Sequence, residues 1–231
     1  MTSPHWGNGR SDSGESEFGL WPAGPADRTD LATFTDRALR LDEAAVVRLR
    51  ARGADRVVAW VATGFDVLAS RVVHGRVNPA DLSAGADALA RGLADATERV
   101  EPGFPMDSAW RGVLPPDNGF VHVDDVPARV MLDLAARGAE LAREHGSAHG
   151  PPASLLDQEV LVVSAPGGDL SVGVPMRCVF ALTAMGFLPQ RAEAVPVDEI
   201  VRVRILPTWL RIDARFGSVY RRRGNPAVVL R

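Results

Sequence analysis

Lysine is absent from this sequence of 231 residues, so all 26 of its basic side chains are arginines. That absence excludes three classes of enzyme. P-loop nucleotidases need a lysine at the phosphates, pyridoxal phosphate enzymes need one for the Schiff base, and protein kinases need one on a strand beside ATP. Abundant alanine, glycine, valine and aspartate are typical of a GC-rich genome, which explains the missing lysine without functional selection.

Cysteine is almost absent as well, because Cys178 is the only one. An intramolecular disulfide and a cysteine-rich zinc site are therefore excluded, and a reducing compartment is expected. Cys178 lies in a segment predicted to be a buried helix, where a free cysteine usually acts as a small hydrophobic residue. A nucleophilic role would need an activating neighbour that the sequence does not identify.

Long apolar runs are missing too. No segment approaches the roughly 18 to 20 apolar residues that a membrane-spanning helix needs. The first 19 residues are rich in Gly, Ser, Asp and Glu and lack the apolar centre of a secretory signal. We therefore expect a cytoplasmic protein without membrane contact.

What is present is an ordinary globular composition, with 46% hydrophobic and 24% charged residues. The pattern predicts an α+β fold of antiparallel β-hairpins and about five packed helices. Residues 1–27 are predicted to be a flexible tail, residues 28–120 an N-terminal lobe with a surface loop, and residues 121–231 a C-terminal lobe ending in an arginine-rich antiparallel sheet. One continuous sheet built from both halves is the alternative.

The individual elements follow from hydrophobic period and turn residues. Helices are predicted over 29–41, 42–52 and 79–97, from a cap at Asp124 or Asp125 to Gly146, and from Pro175 to Met185. Strands of period two are predicted in two hairpins, over 56–77 and 158–174, and in three strands after residue 200. The stretch from 101 to 119 is predicted to be a long surface connection.

Charge is divided unevenly along the chain. Residues 199–231 contain eight arginines and two carboxylates, a net charge of +6, so residues 1–198 carry −9 of the total of −3. Arginines that alternate with apolar residues project from one face of a strand. The candidate residues for binding an anion or a partner are therefore Arg202, Arg204, Arg211, Arg215, Arg221, Arg222, Arg223 and Trp209. Either they bind a polyanion such as nucleic acid, or they pair with acidic residues of this chain or of a partner.

Motifs for catalysis, metals and cofactors are not found. There is no GxSxG or HExxH pattern, and no cofactor or metal is predicted. His145 and His149 are separated by a helix-stopping glycine, and the two aspartates after His122 and Val123 are better explained as helix caps. An enzyme would need a site assembled from remote groups, for example around His122, Asp124 and Trp110.

Three segments, WVATGFDVLASR, VPMRCVFALTAMGFLP and PTWLRIDARFGSVYRR, resemble a family of uncharacterised actinobacterial proteins over residues 30–223. The resemblance implies no catalytic or binding residue. The leading hypothesis is a non-enzymatic module that acts through protein contacts, including self-association, with the aromatic-bearing N-terminal arm as one docking element. The alternatives are nucleic-acid binding through the arginine-rich sheet and an enzyme with an unrecognised site.

Overall fold

The computed structural model describes residues 18–96, 98–145, 150–189 and 195–224. Eleven strands and five α-helices lie within these ranges. In chain order they are β1 (Gly19–Pro22), α1 (Pro25–Leu41), β2 (Val46–Arg52), β3 (Arg56–Thr63), β4 (Val67–Asn78), β5 (Asp81–Gly85), α2 (Ala86–Asp95), β6 (Val121–Pro127), α3 (Ala128–His145), α4 (Ala153–Asp157), β7 (Glu159–Ser164), β8 (Ser171–Pro175), α5 (Met176–Ala184), β9 (Ile200–Leu206), β10 (Trp209–Ala214) and β11 (Gly217–Arg222).

Both halves of the chain contribute to one antiparallel sheet of nine strands. Its order is β5-β2-β3-β4-β11-β10-β9-β6, and β1 pairs with the end of β4. The halves meet where residues 68–70 of β4 pair with 218–220 of β11. Strands β7 and β8 form a separate hairpin. The prediction of mixed helix and antiparallel sheet is thus confirmed, and the halves share one sheet.

Helices cover one face of the large sheet, which we call the helix face. Leu31 and Phe34 of α1 and Leu182 of α5 are buried in the same core as Leu49 of β2 and Ile212 of β10. In each of these two strands the apolar side chains alternate with arginines, so the arginines project from the opposite side. We call that side the open face.

The buried Arg177 and the largely buried Arg71 tie the halves together beside the β4–β11 junction. Arg177 of α5 donates to the carbonyl oxygen of Phe65 at 2.7 Å and pairs with Asp157. Arg71 of β4 donates to the carbonyl oxygen of Phe216 and pairs with Asp30 of α1. Because each guanidinium joins distant segments by charge-assisted hydrogen bonds, both halves are held in a fixed arrangement.

The predicted helix over 42–52 is wrong, because residues 46–52 form β2. Val47 and Leu49 are fully buried while Arg48 and Arg50 face the open side. The segment is rich in residues that also suit helices, yet pairing with both β3 and β5 outweighs that weak intrinsic preference.

The predicted tail of residues 1–27 is also wrong over its last part, since residues 19–22 form β1 and α1 begins at Pro25. Leu20 of β1 is fully buried, and its backbone bonds Val100 in both directions. This burial is what orders the segment, because it offsets the entropy of fixing the backbone. Trp6 and the rest of residues 1–17 lie outside the described residues.

Two helix starts differ from the prediction as well. Strand β6 continues through Asp124 and Asp125 to Pro127, so these aspartates are strand residues and α3 begins only at Ala128. The helix predicted over 79–97 is divided, with β5 over the first residues and α2 over the remainder.

Candidate interaction surface on the open face of the sheet

An aromatic cluster occupies the centre of the open face. Val58, Trp60, Trp209 and Tyr220 are buried there, separately from the helix-side core. The rings of Trp60 and Tyr220 lie 4.9 Å apart between centroids, in a tilted arrangement. Burial raises the pKa of the Tyr220 hydroxyl, an effect that the nearby positive charge of Arg211 partly opposes. The cluster spans the junction between the halves, since Trp60 belongs to the first half and Tyr220 to the second.

The connector, which we define as residues 101–119, covers this cluster. Leu114 and Trp110 of the connector pack against it, as does Phe120 just beyond. The connector is also fixed to the edge of the sheet: the N–H of Met106 donates to the carbonyl oxygen of Ser83 at 2.7 Å, and the N–H of Ser83 donates to Asp107 Oδ1 at 2.7 Å. It therefore closes the β5 edge, which would otherwise leave backbone groups of that strand unpaired.

Three of the predicted arginines lie together on the open face. Arg202 and Arg204 of β9 and Arg211 of β10 project there, and Arg204 lies directly opposite Arg211. All three form ion pairs with this chain's own carboxylates, two of them with the same aspartate. Asp213 pairs with Arg204 and accepts from Arg211 Nε at 2.6 Å, while Asp125 lies 3.4 Å from Arg202. These three arginines therefore stabilise the sheet internally.

The other predicted residues are dispersed. Arg215 lies after β10 and binds Glu199 at 2.9 Å, and Arg221 projects to the helix face and binds Asp157 at 3.2 Å. Arg223 Nη1 is 3.5 Å from the carbonyl oxygen of Leu206. Trp209 belongs to the aromatic cluster and is buried. Arg215 and Arg221 thus do not join the open-face group.

Arg222 differs from these arginines, because its side chain makes no ion pair or hydrogen bond with a described residue. It lies opposite Trp209 on the open face and lines a pocket of about 250 Å³ beside the aromatic cluster. Arg111 of the connector lines the same pocket and has no described partner either. Arg111 has no predictive signal in the sequence, because it lies in a connector without a hydrophobic period.

The remaining chemical candidates lie in different parts of the described structure. Burial raises the pKa of the Cys178 thiol to about 12, although Arg221 and Arg177 oppose the shift. His122 Nε2 lies 2.9 Å from Asp125 Oδ1, and Asp124 accepts the N–H of Asp125. The described part of the chain contains no group of three or more residues able to hold a metal ion.

His149 falls outside the described ranges. Within those ranges, no helix combines the length and the apolar character needed to cross a membrane.

Comparisons with known structures concern the fold. The chain is similar to the DNA polymerase sliding clamp of Bacillus subtilis, with 12% identity, a TM-score of 0.56 and coverage of 91% of this chain and 66% of the clamp. It also matches DNA polymerase III subunit beta from Pseudomonas aeruginosa, with 12% identity, a TM-score of 0.53 and coverage of 84% and 62%. For the Caulobacter crescentus beta protein the identity is 15%, the TM-score 0.50 and the coverage 87% and 65%.

At these identities the likeness establishes a sliding-clamp-like fold, which the sequence did not predict. The chain spans slightly less than two thirds of the length of these clamp chains.

Comparison with curated proteins finds no match. Family models match two adjoining parts of the chain. Residues 15–112 match a domain of unknown function, DUF8010, and residues 115–226 match a second one, DUF8185. The boundary between them falls within the connector. The predicted resemblance to uncharacterised proteins is therefore confirmed, because each of the two parts matches a family of unknown function.

Proposed function

We propose that this protein is a non-catalytic, self-associating interaction module with a sliding-clamp-like fold. The observation that carries the proposal is the match of 91% of the chain to a DNA polymerase sliding clamp. A neighbour in fold is described as a subunit of DNA polymerase III, and so belongs to a larger assembly. Since a fold can host many functions, the surface must supply the rest of the argument.

The connector is the contact surface that we favour. Phe104 is 91% exposed and Val113 is 65% exposed, although both belong to a segment fixed to the sheet. The backbone bonds of Met106 and Ser83 hold the connector within two residues of Phe104, and Gly103 adopts a positive φ just before it. An exposed aromatic side chain on a prearranged backbone can bury its ring in a partner at a low entropic cost.

The chemistry of the site supports a non-catalytic role. The only thiol is buried and has a pKa of about 12, so it stays protonated near neutral pH. The open-face arginines Arg204 and Arg211 are held by Asp213 and stabilise the fold. We place this function in the cytoplasm, because a single free cysteine suits a reducing compartment.

Sedimentation velocity of the full chain tests self-association, from about 1 to 100 μM because association follows mass action. We expect species larger than one copy. Phe104→Asp should shift them toward single copies, because it removes the exposed ring and adds charge. Val162→Asp is the matched control, since Val162 is 64% exposed on the separate hairpin. A single copy at every concentration would refute the proposal.

Nucleic-acid binding is the second candidate, favoured by the similarity to DNA polymerase clamps and by Arg111 and Arg222, which form no ion pair with a described residue. The internal pairing of Arg202, Arg204 and Arg211 leaves few free charges on the open face. Fluorescence anisotropy with labelled duplex and single-stranded DNA should then show an affinity that falls as the salt concentration rises. A plot of log affinity against log salt concentration should have a shallow slope that corresponds to about two phosphate contacts. No binding at about 50 mM salt would eliminate this candidate.

A further inference from the structure

The pocket between the connector and the β4–β11 junction has an uncommon combination of groups. Arg111 and Arg222, which form no ion pair with a described residue, line it together with the apolar side chains of Leu68 and Val113. It opens on the open face beside the aromatic cluster, and its volume is about 250 Å³. That is slightly below the roughly 300 to 1,000 Å³ typical of pockets for drug-sized ligands, so it suits a small molecule or one end of a larger one.

The backbone segments that carry the two arginines are held in place. The indole N–H of Trp110 donates to the carbonyl oxygen of Gly112 at 3.0 Å, which closes a tight turn around Arg111. Gly112 has a φ of +133°, a conformation that glycine adopts without strain. Arg222 is fixed on β11 directly opposite Trp209. The two positive charges are thus brought to one pocket from different halves of the chain.

Among the described residues, no carboxylate forms an ion pair with either arginine. Arg50 and Arg204 on the same face each lie beside an aspartate, whereas Arg111 and Arg222 form no ion pair with a described residue. Asp66 also lines the pocket, but its side chain is 90% exposed and its charge faces Arg177 at 3.7 Å. The two arginines thus bring a charge of +2 to the pocket, and Asp66 brings −1 that it shares with Arg177. Two like charges at one site repel each other, and an anion placed between them would relieve that repulsion.

We propose that this pocket binds a phosphate monoester carried on a planar aromatic body, as in a nucleoside monophosphate. A phosphate monoester carries about −1.5 to −2 charges at pH 7, which matches two arginines better than a single carboxylate does. The planar guanidinium group of arginine can donate two parallel hydrogen bonds to phosphate oxygens. The aromatic body would lie on the apolar wall formed by Leu68, Trp209 and Tyr220.

The ligand can come from two sources with the same chemistry. It can be a free nucleotide, or it can be the phosphorylated 5′ end of a nucleic-acid strand. This inference goes beyond the proposed self-association and does not depend on it, because every lining residue belongs to one copy of the chain.

Isothermal titration calorimetry of the full chain with adenosine 5′-monophosphate tests the proposal. We expect saturable binding, with adenosine and inorganic phosphate each at least about tenfold weaker, since each lacks one of the two matched parts. Arg111→Gln and Arg222→Gln should each weaken binding about tenfold or more, because a charge-assisted hydrogen bond is lost. Both side chains are exposed, so neither substitution disturbs the core.

Arg50→Gln is the matched control, because Arg50 is an exposed arginine of the open face outside the pocket. Its affinity for the nucleotide should equal that of the wild type. Oligonucleotides with 5′-phosphate and 5′-hydroxyl ends identify the source: tighter binding of the phosphorylated end than of the free nucleotide favours a strand end, and the reverse favours the free nucleotide. No binding of either phosphorylated probe, or equal losses in all three variants, would overturn the proposal.

Discussion

Replacement of Asp213 by asparagine tests the conclusion that Arg204 and Arg211 of the C-terminal sheet form ion pairs within the chain. Asp213 receives hydrogen bonds from Arg204, Arg211 and Ser218. Its side chain is only 16% exposed, and those of Arg204 and Arg211 are 28% and 20% exposed. Asparagine keeps the shape of the side chain but removes the negative charge, which leaves two like charges side by side.

The expected loss of stability follows from this burial. Each hydrogen bond to a charged group contributes about 1.5 to 3 kcal/mol, and removing one member of a fully buried ion pair costs about 3 to 5 kcal/mol. Because the asparagine carbonyl still accepts one hydrogen bond and the group is partly solvated, we expect Asp213→Asn to lower the free energy of unfolding by about 2 to 3 kcal/mol.

Urea unfolding followed by tryptophan fluorescence and circular dichroism measures this loss as a shift of the midpoint at constant slope. Asp81→Asn is the matched control, since Asp81 also pairs with two open-face arginines, Arg48 and Arg50, but is 39% exposed. The control should lose at most about 1 kcal/mol, as expected of solvated ion pairs. Equal losses in the two variants would refute the reasoning that burial sets the strength of these pairs.

Three further predictions follow from single groups. Cys178, whose thiol pKa is about 12, should resist iodoacetamide at pH 8 until the protein is unfolded; rapid labelling of the native chain would contradict its burial. Gly75→Ala should lower the free energy of unfolding by more than about 2 kcal/mol, because the φ of Gly75 is +147° and an added Cβ would lie 2.4 Å from the carbonyl oxygen of Trp21. Gly53→Ala is the control, since Gly53 has a φ of +69° and open space around it, and it should cost about 1 kcal/mol. Thermal melts measure both losses, and similar losses would count against the close packing of β1. Because the pKa of Tyr220 is raised in the folded protein, the unfolded chain loses the phenol proton at a lower pH than the folded chain does. The free energy of unfolding should therefore fall as pH rises from about 10 toward the pKa of folded Tyr220. Tyr220→Phe should flatten this dependence of stability on pH, and an unchanged dependence would show that Tyr220 is not its source.

Much of the second half of the fold could be predicted from hydrophobic period. In the middle of β9, the inward residues Val201, Val203 and Ile205 alternate with outward arginines, and the middle of β10 shows the same alternation of apolar and charged residues. The β7–β8 hairpin follows from its two glycines with positive φ, Gly167 and Gly168. These elements have short-range signals, and short-range signals are what a single sequence contains.

The errors have a different origin, because they occur where distant partners decide the local structure. Residues 46–52 contain the alternation of Val47 and Leu49, yet the same residues also suit a helix, and pairing with β3 and β5 decides between the two. The local composition of residues 19–22 predicts a flexible tail, but Leu20 pairs with Val100, which lies about 80 positions later in the chain. No local pattern contains that information.

The candidate site shows the same limit. The arginine face of β9 and β10 could be predicted, but its neutralisation by Asp213 in one case and by Asp125 from β6 in another depends on which strands become neighbours. Arg111 could not be predicted at all, because its position over the pocket is set by the path of the connector across the sheet. Pockets formed between segments far apart in sequence appear only in the folded chain.

Native mass spectrometry of the full chain tests self-association most directly, because it counts copies without reference to shape. One copy has a mass of 24.7 kDa. We predict that the dominant species at about 10 μM contains two or more copies and that Phe104→Asp shifts the distribution toward one copy. A wild-type chain that stays at 24.7 kDa up to about 100 μM would contradict a self-associating module.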